Sequence, residues 1–425
     1  MSDTPAPPVI LGNEPGSFPH GVLAERHPAI IRQVRDAFPY GPDVHRGLDA
    51  LLENCTKGVI EPLPDTAPDR DRWRSWGLDE YVGRSWFDVP WLWSESYFYR
   101  QLLDTVGYFG VGPWQGIDPF RPFKLAELDA PETDEELSVL DTLEARPVGE
   151  RARALLHGSL WGNRADLGFR LSDAEAEERA AVPGLVADDS EKLWSLLPDT
   201  DTGTGTGNST STGTSDTSSG TGIGSRAGTG SGPGSGTVCL VADNAGRELI
   251  PDLLLAAHLL DRGRCGRVVL QVKPYPYYVS DATTADVVDA LRKLTGAPGA
   301  AADHGRRLWA AMADGTLTVR AHPFSAGPLP YAAMPDDLRA EFAAASLTIV
   351  KGDLNYRRLV GDSRWNPTTP FADVTAYFPG PVAALRTLKS EVITGLDAGT
   401  EAALVAAEGQ RWRTGGTHAL IQVRE

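Results

Sequence analysis

Polar residues that follow two apolar runs in the second half of the chain could bind a divalent cation. Asp243 and Asn244 come directly after the run Val238–Ala242. Asp281 comes shortly after the run Arg267–Val272 and just before a helical pattern. If these runs are neighbouring parallel strands, the three side chains converge at the edge of the sheet where open α/β folds bind ligands. Such hard oxygen donors suit Mg²⁺ or Mn²⁺, although a helix cap is the better explanation of each aspartate taken alone.

Basic residues follow two later apolar runs and could neutralise a phosphate group. After LTIV the chain continues as KGDLNYRR, a helix start that could present backbone amides and Arg357 to an anion. After VAAL it continues as RTLK, in which Arg386 and Lys389 are two cations at a strand end. A turn with a cap explains the first segment equally well, and a solvated charge pair is the common explanation of the second. Acidic metal ligands together with cations at four strand ends indicate phosphoryl chemistry.

The first half of the chain contains polar residues that could contact the rest of a substrate. Glu95 lies in WLWSESYFYR, a helical pattern whose tryptophans we expect mostly in the core. Asn163 and Asp166 lie in the loop LWGNRADL and could form hydrogen bonds with sugar hydroxyls. An Asx turn is the simpler explanation of that loop.

The elements that must position these residues differ between the two halves. The first half has helical spacing of apolar residues in HPAIIRQVRDAF, LDALLENC and WLWSESYFYRQLLDTVGYF. The second half alternates short apolar runs with helical segments, which predicts an α/β fold with a mostly parallel sheet covered by helices. The predicted strands are Val238–Ala242, Arg267–Val272, Leu317–Ala321, Leu347–Val350 and a late pair near Val382–Leu385 and Ala419–Val423.

A tract rich in Gly, Ser and Thr separates the two halves. From 199 to 237 the chain has almost no apolar side chains, so burial cannot offset the entropy cost of ordering it. We therefore predict a disordered linker at 199–237. It would connect a helical N-terminal domain, 1–198, to the α/β domain, 238–425.

Composition excludes some classes of partner. The formal net charge of -17 argues against binding nucleic acid, because phosphate backbones require a basic surface. No apolar stretch is long enough to span a membrane, and the first residues lack the pattern of a secretory signal. We predict a cytoplasmic protein that binds neither nucleic acid nor a membrane. The three cysteines form no C-x-x-C pair, so we expect buried, reduced thiols.

Taken together, these motifs resemble the damage-control phosphatases, also called the acidic-residue-methyltransferase-like family, in its subfamily III. The resemblance covers nearly the whole chain outside 199–237 and implies a helical N-terminal domain packed on an α/β/α domain. This chain departs from the family in the 199–237 tract and in WSES, where we expect a more alanine-like, cysteine-bearing sequence. The motifs that carry the resemblance are SLWGNRADL, DNAGREL, PYYVSD, KGDLNYRRL and, close to the C-terminus, RTLK as the subfamily's R-T-x-K.

The resemblance implies a metal-dependent phosphatase for small phosphorylated metabolites, such as fructose phosphates and other sugar phosphates, in metabolite damage control. The implied catalytic residues are Lys389 and three ligands of a divalent metal (Mn²⁺, Co²⁺, Ni²⁺ or Mg²⁺), namely Asp243, Asn244 and Asp281. The implied contacts with the phosphorylated substrate are Asp353, Asn355, Tyr356, Arg357, Arg386 and Lys389. A looser similarity places Glu95, Asn163 and Asp166 on the sugar side.

The mechanism and two other functions stay open at this point. The attacking group is either water or an aspartate. One alternative function is an S-adenosylmethionine-dependent carboxyl methyltransferase acting on acidic residues, although DNAGRE replaces the Gly-rich turn that such a cofactor usually needs. The other is a non-catalytic binding module, against which the intact acidic residues and Lys389 argue.

Overall fold

The structure is a computed structural model that describes residues 7–162, 184–197 and 234–425. Asn163 and Asp166, predicted for the sugar side of the site, lie outside these ranges. The tract 199–237 also lies outside them up to residue 233.

A seven-stranded sheet forms the centre of the described chain. The spatial order is β1-β7-β6-β5-β2-β3-β4, and neighbouring strands are parallel except β6 and β7. All six predicted strands are confirmed, with small differences at their ends. The strands are β1 (Leu185–Asp188), β2 (Thr237–Val241), β3 (Arg267–Gln271), β4 (Leu317–Arg320), β5 (Leu347–Lys351), β6 (Val382–Thr387) and β7 (Ala419–Arg424).

Strand β1 is an addition to the predicted sheet, and it comes from the half of the chain predicted to be helical. It pairs in parallel with β7 at the sheet edge, with Leu185 opposite Ala419. Its four residues are too few to show a strand period, and its partner is the last strand of the chain. Local sequence therefore offers little sign of this strand.

Helices cover the sheet and build a separate layer. A π-helical segment, Val22–Arg26, joins the first two helices. The helices before the tract are α1 (Phe18–Gly21), α2 (His27–Ala37), α3 (Pro42–Lys57), α4 (Arg70–Ser75), α5 (Leu78–Tyr81), α6 (Trp91–Thr105), α7 (Arg121–Leu128), α8 (Pro131–Ser138), α9 (Leu140–Glu144), α10 (Val148–Trp161) and α11 (Ser190–Leu196). Those after it are α12 (Leu249–Asp261), α13 (Thr284–Gly296), α14 (Gly299–Asp314), α15 (Asp336–Ala343), α16 (Gly352–Val360), α17 (Phe371–Val374) and α18 (Ala398–Glu408).

Both faces of the sheet are buried under helices. Val238 and Leu240 of β2 pack into one apolar cluster, and Cys239 and Val241 pack into another that includes Phe342 of α15. Successive side chains of a strand point to opposite faces, so a strand covered on both sides is a continuous apolar run. This burial explains why the short runs in the second half predicted the strands correctly.

The helices of the first half bury a third apolar cluster of their own. Tyr278 and Val279, from the segment after β3, pack against this cluster. The helical layer therefore reaches the edge of the sheet where β3 ends, in agreement with the predicted helical domain packed on an α/β/α domain. Trp91 and Trp93 are buried as predicted, and Trp73, Trp76 and Trp86 are buried with them.

The three cysteines have the predicted burial and oxidation state. Cys55, Cys239 and Cys265 are buried and form no disulfide, as predicted. Burial raises the pKa of the Cys265 thiol to about 11, so this thiol stays protonated at neutral pH. In the described parts of the chain, no helix has the length and apolar character needed to cross a membrane.

Candidate metal and substrate site

The candidate site lies where the order of strands in the sheet reverses. The chain runs from β2 to β3 and β4 on one side of β2, and then returns to β5 on its other side. Strands β3, β2, β5 and β6 are parallel, so their carboxyl ends share one edge. Open α/β sheets bind ligands at such a reversal. The structure thus brings together the segments that follow these four strands.

Asp243, Asn244 and Asp281 are adjacent at this edge. An isolated antiparallel bridge pairs Asn244 with Asp281. The backbone N–H of Ala282 donates to the carbonyl of Asp243 at 2.9 Å, and the Ser280 hydroxyl donates to Oδ1 of Asn244 at 2.7 Å. The loops after β2 and β3 are therefore joined by hydrogen bonds, and the three predicted ligands lie side by side.

The carboxylates at this edge lie in a buried and mutually repulsive environment. Asp243 is 8% exposed, and burial, followed by the charges of Glu248 and Asp281, holds its pKa well above the ordinary value. Burial also raises the pKa of Asp281, against the opposing ammonium of Lys273. A cation bound here would favour the charged form of both groups.

The donor set has the chemistry of a site for a hard divalent cation. Two carboxylates and one amide oxygen are ligands that Mg²⁺ and Mn²⁺ prefer. Over residues 7–162, 184–197 and 234–425, no group of three or more His, Cys, Asp or Glu side chains is arranged to hold a metal. Asn244 is therefore needed to complete any set of three protein ligands at this edge, and water or phosphate would supply the others.

Helix α16 begins directly against the carboxylate of Asp243. Its first residue, Gly352, has a φ of +83°, and a Cβ there would overlap the Asp243 carboxylate. Only glycine accommodates both the backbone conformation and the close approach. The first turn of a helix carries backbone N–H groups without partners in the helix, which favour an anion. This edge of the sheet thus offers N–H donors beside Asp243, Asn244 and Asp281, which together form the acidic set.

A buried lysine that was not predicted, Lys273, lies beneath the acidic set. It is 2% exposed, and its Nζ lies 3.2 Å from Oδ1 of Asn355 and 4.0 Å from Oδ1 of Asp281. Burial lowers its pKa to about 8, although Asp281 opposes this change. Its position directly after the apolar strand β3 is the local signal that could have identified it.

Asn355 and Tyr356, both predicted to contact substrate, direct their side chains into the protein. Nδ2 of Asn355 donates to the carbonyls of Ala242 at 3.0 Å and Lys351 at 2.9 Å. The Tyr356 hydroxyl donates to Oε1 of Gln422 at 3.0 Å. Asn355 and Tyr356 are fully buried, so these side chains hold the strand ends together and do not line the open edge.

A second unpredicted lysine, Lys124 of α7, attaches the helical layer to the ligand loop. Its buried Nζ donates to the backbone carbonyl of Asp281 at 2.9 Å. It also contacts the carboxylates of Asp118 at 2.9 Å and Asp286 at 3.0 Å. These partners come from separate segments of the chain, so no local pattern indicates the contact.

Asp353 organises the RTLK segment. Its Oδ1 accepts hydrogen bonds from Nε of Arg386 at 2.9 Å, the Ser390 hydroxyl at 3.0 Å and the backbone N–H of Lys389 at 3.2 Å. Burial alone would raise the pKa of Asp353, but Arg386 and then Arg357 hold it below the ordinary value. Arg386 is fully buried, whereas Lys389 is exposed, and its charge acts on Asp243. Lys389 is therefore the cation of this motif that a ligand can reach.

Arg357 is engaged by carboxylates and does not project freely towards an anion. Its Nε and Nη2 donate to the two oxygens of Asp362 at 2.7 and 3.0 Å. Its Nη1 donates to Oε2 of Glu95 at 3.1 Å, and its guanidinium lies 3.5 Å from the ring centroid of Trp91. Glu95 is 4% exposed, and burial raises its pKa even though Arg357 opposes this change. Arg357 thus fixes the orientation of Glu95.

Comparisons with known proteins show the family to which the chain belongs. The Damage-control phosphatase ARMT1-like domain matches residues 22–405. "Damage-control phosphatase ARMT1" of Macaca fascicularis is 28% identical over 98% of this chain and 98% of its own. The human protein of the same name is 27% identical over 96% of this chain and 97% of its own. A solved DUF89 family protein from Pyrococcus horikoshii shares 14% identity over 87% of this chain and 93% of its own, with a TM-score of 0.45. This chain belongs to the ARMT1-like damage-control phosphatase family.

Proposed function

We propose that this protein is a metal-dependent phosphatase that hydrolyses phosphate esters of small metabolites, with sugar phosphates such as fructose phosphates as its substrates. The observation that carries the proposal is the convergence of Asp243, Asn244 and Asp281 with the exposed Lys389 at the reversal of the sheet order. Membership of a phosphatase family supports the same chemistry. An acidic protein can bind a small anion if a local cationic site overcomes the overall charge.

In this proposal, Asp243, Asn244 and Asp281 hold a divalent cation, either Mn²⁺, Co²⁺, Ni²⁺ or Mg²⁺. When bound, the cation supplies Lewis-acid polarisation of the phosphoryl group. Lys389 neutralises the charge that develops as the leaving oxygen departs. The N–H groups at the start of α16 donate hydrogen bonds to the phosphate oxygens, since Gly352 lets the backbone approach Asp243 closely.

The other predicted substrate residues take supporting positions in this proposal. Arg386 and Asp353 hold the segment that carries Lys389, and Arg357 holds Glu95. Glu95 faces the sugar side, together with Asn163 and Asp166, which remain predictions because they lie outside the described residues.

The test is phosphate release by metal-stripped protein from a panel of sugar phosphates, with Mg²⁺, Mn²⁺, Co²⁺ and Ni²⁺ added back singly. We expect release only with metal, and its loss in Asp243→Asn. Asp303→Asn, which changes an exposed aspartate of α14, is the matched control and should keep full activity. Release without metal, or equal release by Asp243→Asn, would overturn the metal assignment.

No release from any ester under any condition would overturn the phosphatase proposal as a whole. The remaining functions would then be the methyltransferase and the binding module. Saturable binding of S-adenosylmethionine, measured by calorimetry, would separate them.

A further inference from the structure

Tyr278 connects the acidic edge to Glu95. Its backbone N–H donates to Oδ2 of Asp281 at 2.9 Å, and its hydroxyl donates to Oε2 of Glu95 at 3.2 Å. The same oxygen of Glu95 accepts the hydrogen bond from Arg357 at 3.1 Å. One residue therefore touches both a candidate metal ligand and the carboxylate on the candidate substrate side.

The ring of Tyr278 is held in place by two other tyrosines. Its centroid lies 4.5 Å from that of Tyr99 and 4.8 Å from that of Tyr277. Tyr278 is partly exposed, whereas Tyr277 is 2% exposed and donates its hydroxyl to the carbonyl of Gly327 at 2.9 Å. Of these two neighbouring phenols, Tyr278 is therefore the one that a ligand can approach.

The hydrogen bonds around Glu95 leave one oxygen available to a ligand. Tyr278 and Arg357 both donate to Oε2, and no donor from the described residues bonds to Oε1. The Tyr278 phenol has a single O–H, and that O–H donates to Glu95.

We propose that Tyr278 is a specificity-determining residue, whose hydroxyl orients Glu95 so that Oε1 accepts a hydrogen bond from a substrate hydroxyl. The proposal rests on the proposed phosphatase function and names the residue that would select hydroxylated phosphate esters. A site built to pair with a substrate hydroxyl discriminates against an ester without one, because its buried polar group is then left unpaired. Asp281 and Glu95 share Tyr278, so the phosphate and the hydroxyl groups are recognised at a fixed separation.

The test compares two esters, fructose 6-phosphate, which carries several hydroxyls, and p-nitrophenyl phosphate, which carries none. In Tyr278→Phe the ring and its packing remain and only the hydroxyl is lost. We expect kcat/KM for fructose 6-phosphate to fall about tenfold, mainly through KM, as for the loss of a hydrogen bond to a charged group. The kinetic constants for p-nitrophenyl phosphate should stay unchanged.

Tyr277→Phe is the matched control, because it removes the neighbouring hydroxyl, which makes no hydrogen bond to Glu95. It should leave the ratio of the two kcat/KM values as in the wild type, even if it lowers Tm. An unchanged ratio in Tyr278→Phe, or the same fall in Tyr277→Phe, would overturn the inference while the phosphatase proposal stands. Wild-type protein that releases phosphate from neither of these esters nor from any other ester of the panel would overturn both.

Discussion

At the scale of single residues, burial of the acidic set and repulsion between its carboxylates lower the stability of the folded chain. Asp243 lies buried beside Glu248 and Asp281, and its pKa is raised by burial and by these like charges. A carboxyl group whose pKa is higher in the folded chain than in the unfolded chain contributes stability that is lost as the pH rises. The contribution of Asp243 to the stability of the metal-free protein should therefore fall as the pH rises from the ordinary aspartate pKa of 3.8 through the raised value. Such perturbed groups are typical of functional sites.

Asp243→Asn tests this loss of stability, since the substitution removes one charge and keeps the shape of the side chain. In EDTA at pH 8 we expect the variant to have a higher Tm than the wild type. Each unit of pKa shift corresponds to about 1.4 kcal/mol. The difference should shrink as the pH is lowered towards 4, because the wild-type carboxyl then becomes protonated.

Saturating Mn²⁺ should give the wild type the higher Tm of the two proteins. The wild type gains the free energy of binding Mn²⁺, whereas the variant lacks one of the metal ligands. Thermal unfolding followed by circular dichroism measures both effects. A lower Tm for Asp243→Asn in EDTA at pH 8 would contradict the electrostatic account.

At the scale of elements, helix α16 is bounded by two glycines that differ in their surroundings. Gly352 at its start has a φ of +83° and lies against Asp243. Gly361 after its end has a φ of +81°, and a Cβ there would meet no atom within 4 Å. The two positions share a positive φ and differ in the close approach to the site.

Substituting alanine at each glycine separates these two effects. Gly361→Ala should cost about 1 kcal/mol of unfolding free energy through backbone conformation alone, and phosphate release should continue. Gly352→Ala should cost more than about 2 kcal/mol and abolish release, since the new Cβ displaces the Asp243 carboxylate or the helix start. Urea unfolding and phosphate release measure the two quantities. Equal losses in the two variants would show that contact with Asp243 is unimportant.

At the scale of the whole molecule, the helical layer takes part in building the site. Lys124 of α7 holds the carbonyl of Asp281, and Glu95 of α6 bonds to Arg357 and Tyr278 from the α/β layers. Substituting a residue that holds a metal ligand in position typically lowers metal affinity by about 10- to 100-fold. The packing of the helical layer on the sheet is therefore a condition for the site.

Lys124→Met should weaken Mn²⁺ binding by about 10- to 100-fold, because the loop that carries Asp281 loses its anchor. Isothermal titration calorimetry at a temperature where the variant remains folded measures this affinity. Lys293→Met is the matched control, since Lys293 pairs with Asp134 and Asp129, away from the ligand loop. Equal Mn²⁺ affinity in the wild type and Lys124→Met would show that the sheet alone positions Asp281.

The sequence by itself determined six of the seven strands and the sheet edge at which the candidate residues lie. Strands buried on both faces, such as β2, are continuous apolar runs. Their ends can therefore be predicted from the sequence without knowledge of distant contacts. Asp243, Asn244 and Lys389 stand at or near such ends, and parallel pairing brings the ends together at one edge. The family motifs can be recognised equally well in the sequence, because each is a contiguous string of residues.

Only the tertiary structure decided which polar side chains face that edge. Arg357 and Arg386 look like phosphate-binding residues in the sequence. In the structure, however, Arg357 donates hydrogen bonds to Asp362 and Glu95. Arg386 donates a hydrogen bond to Asp353. Lys273 and Lys124 have no motif, although both contact the loop of Asp281. The physical reason is that the orientation of a buried charged side chain depends on the oppositely charged groups around it. Distant segments of the chain supply many of these groups.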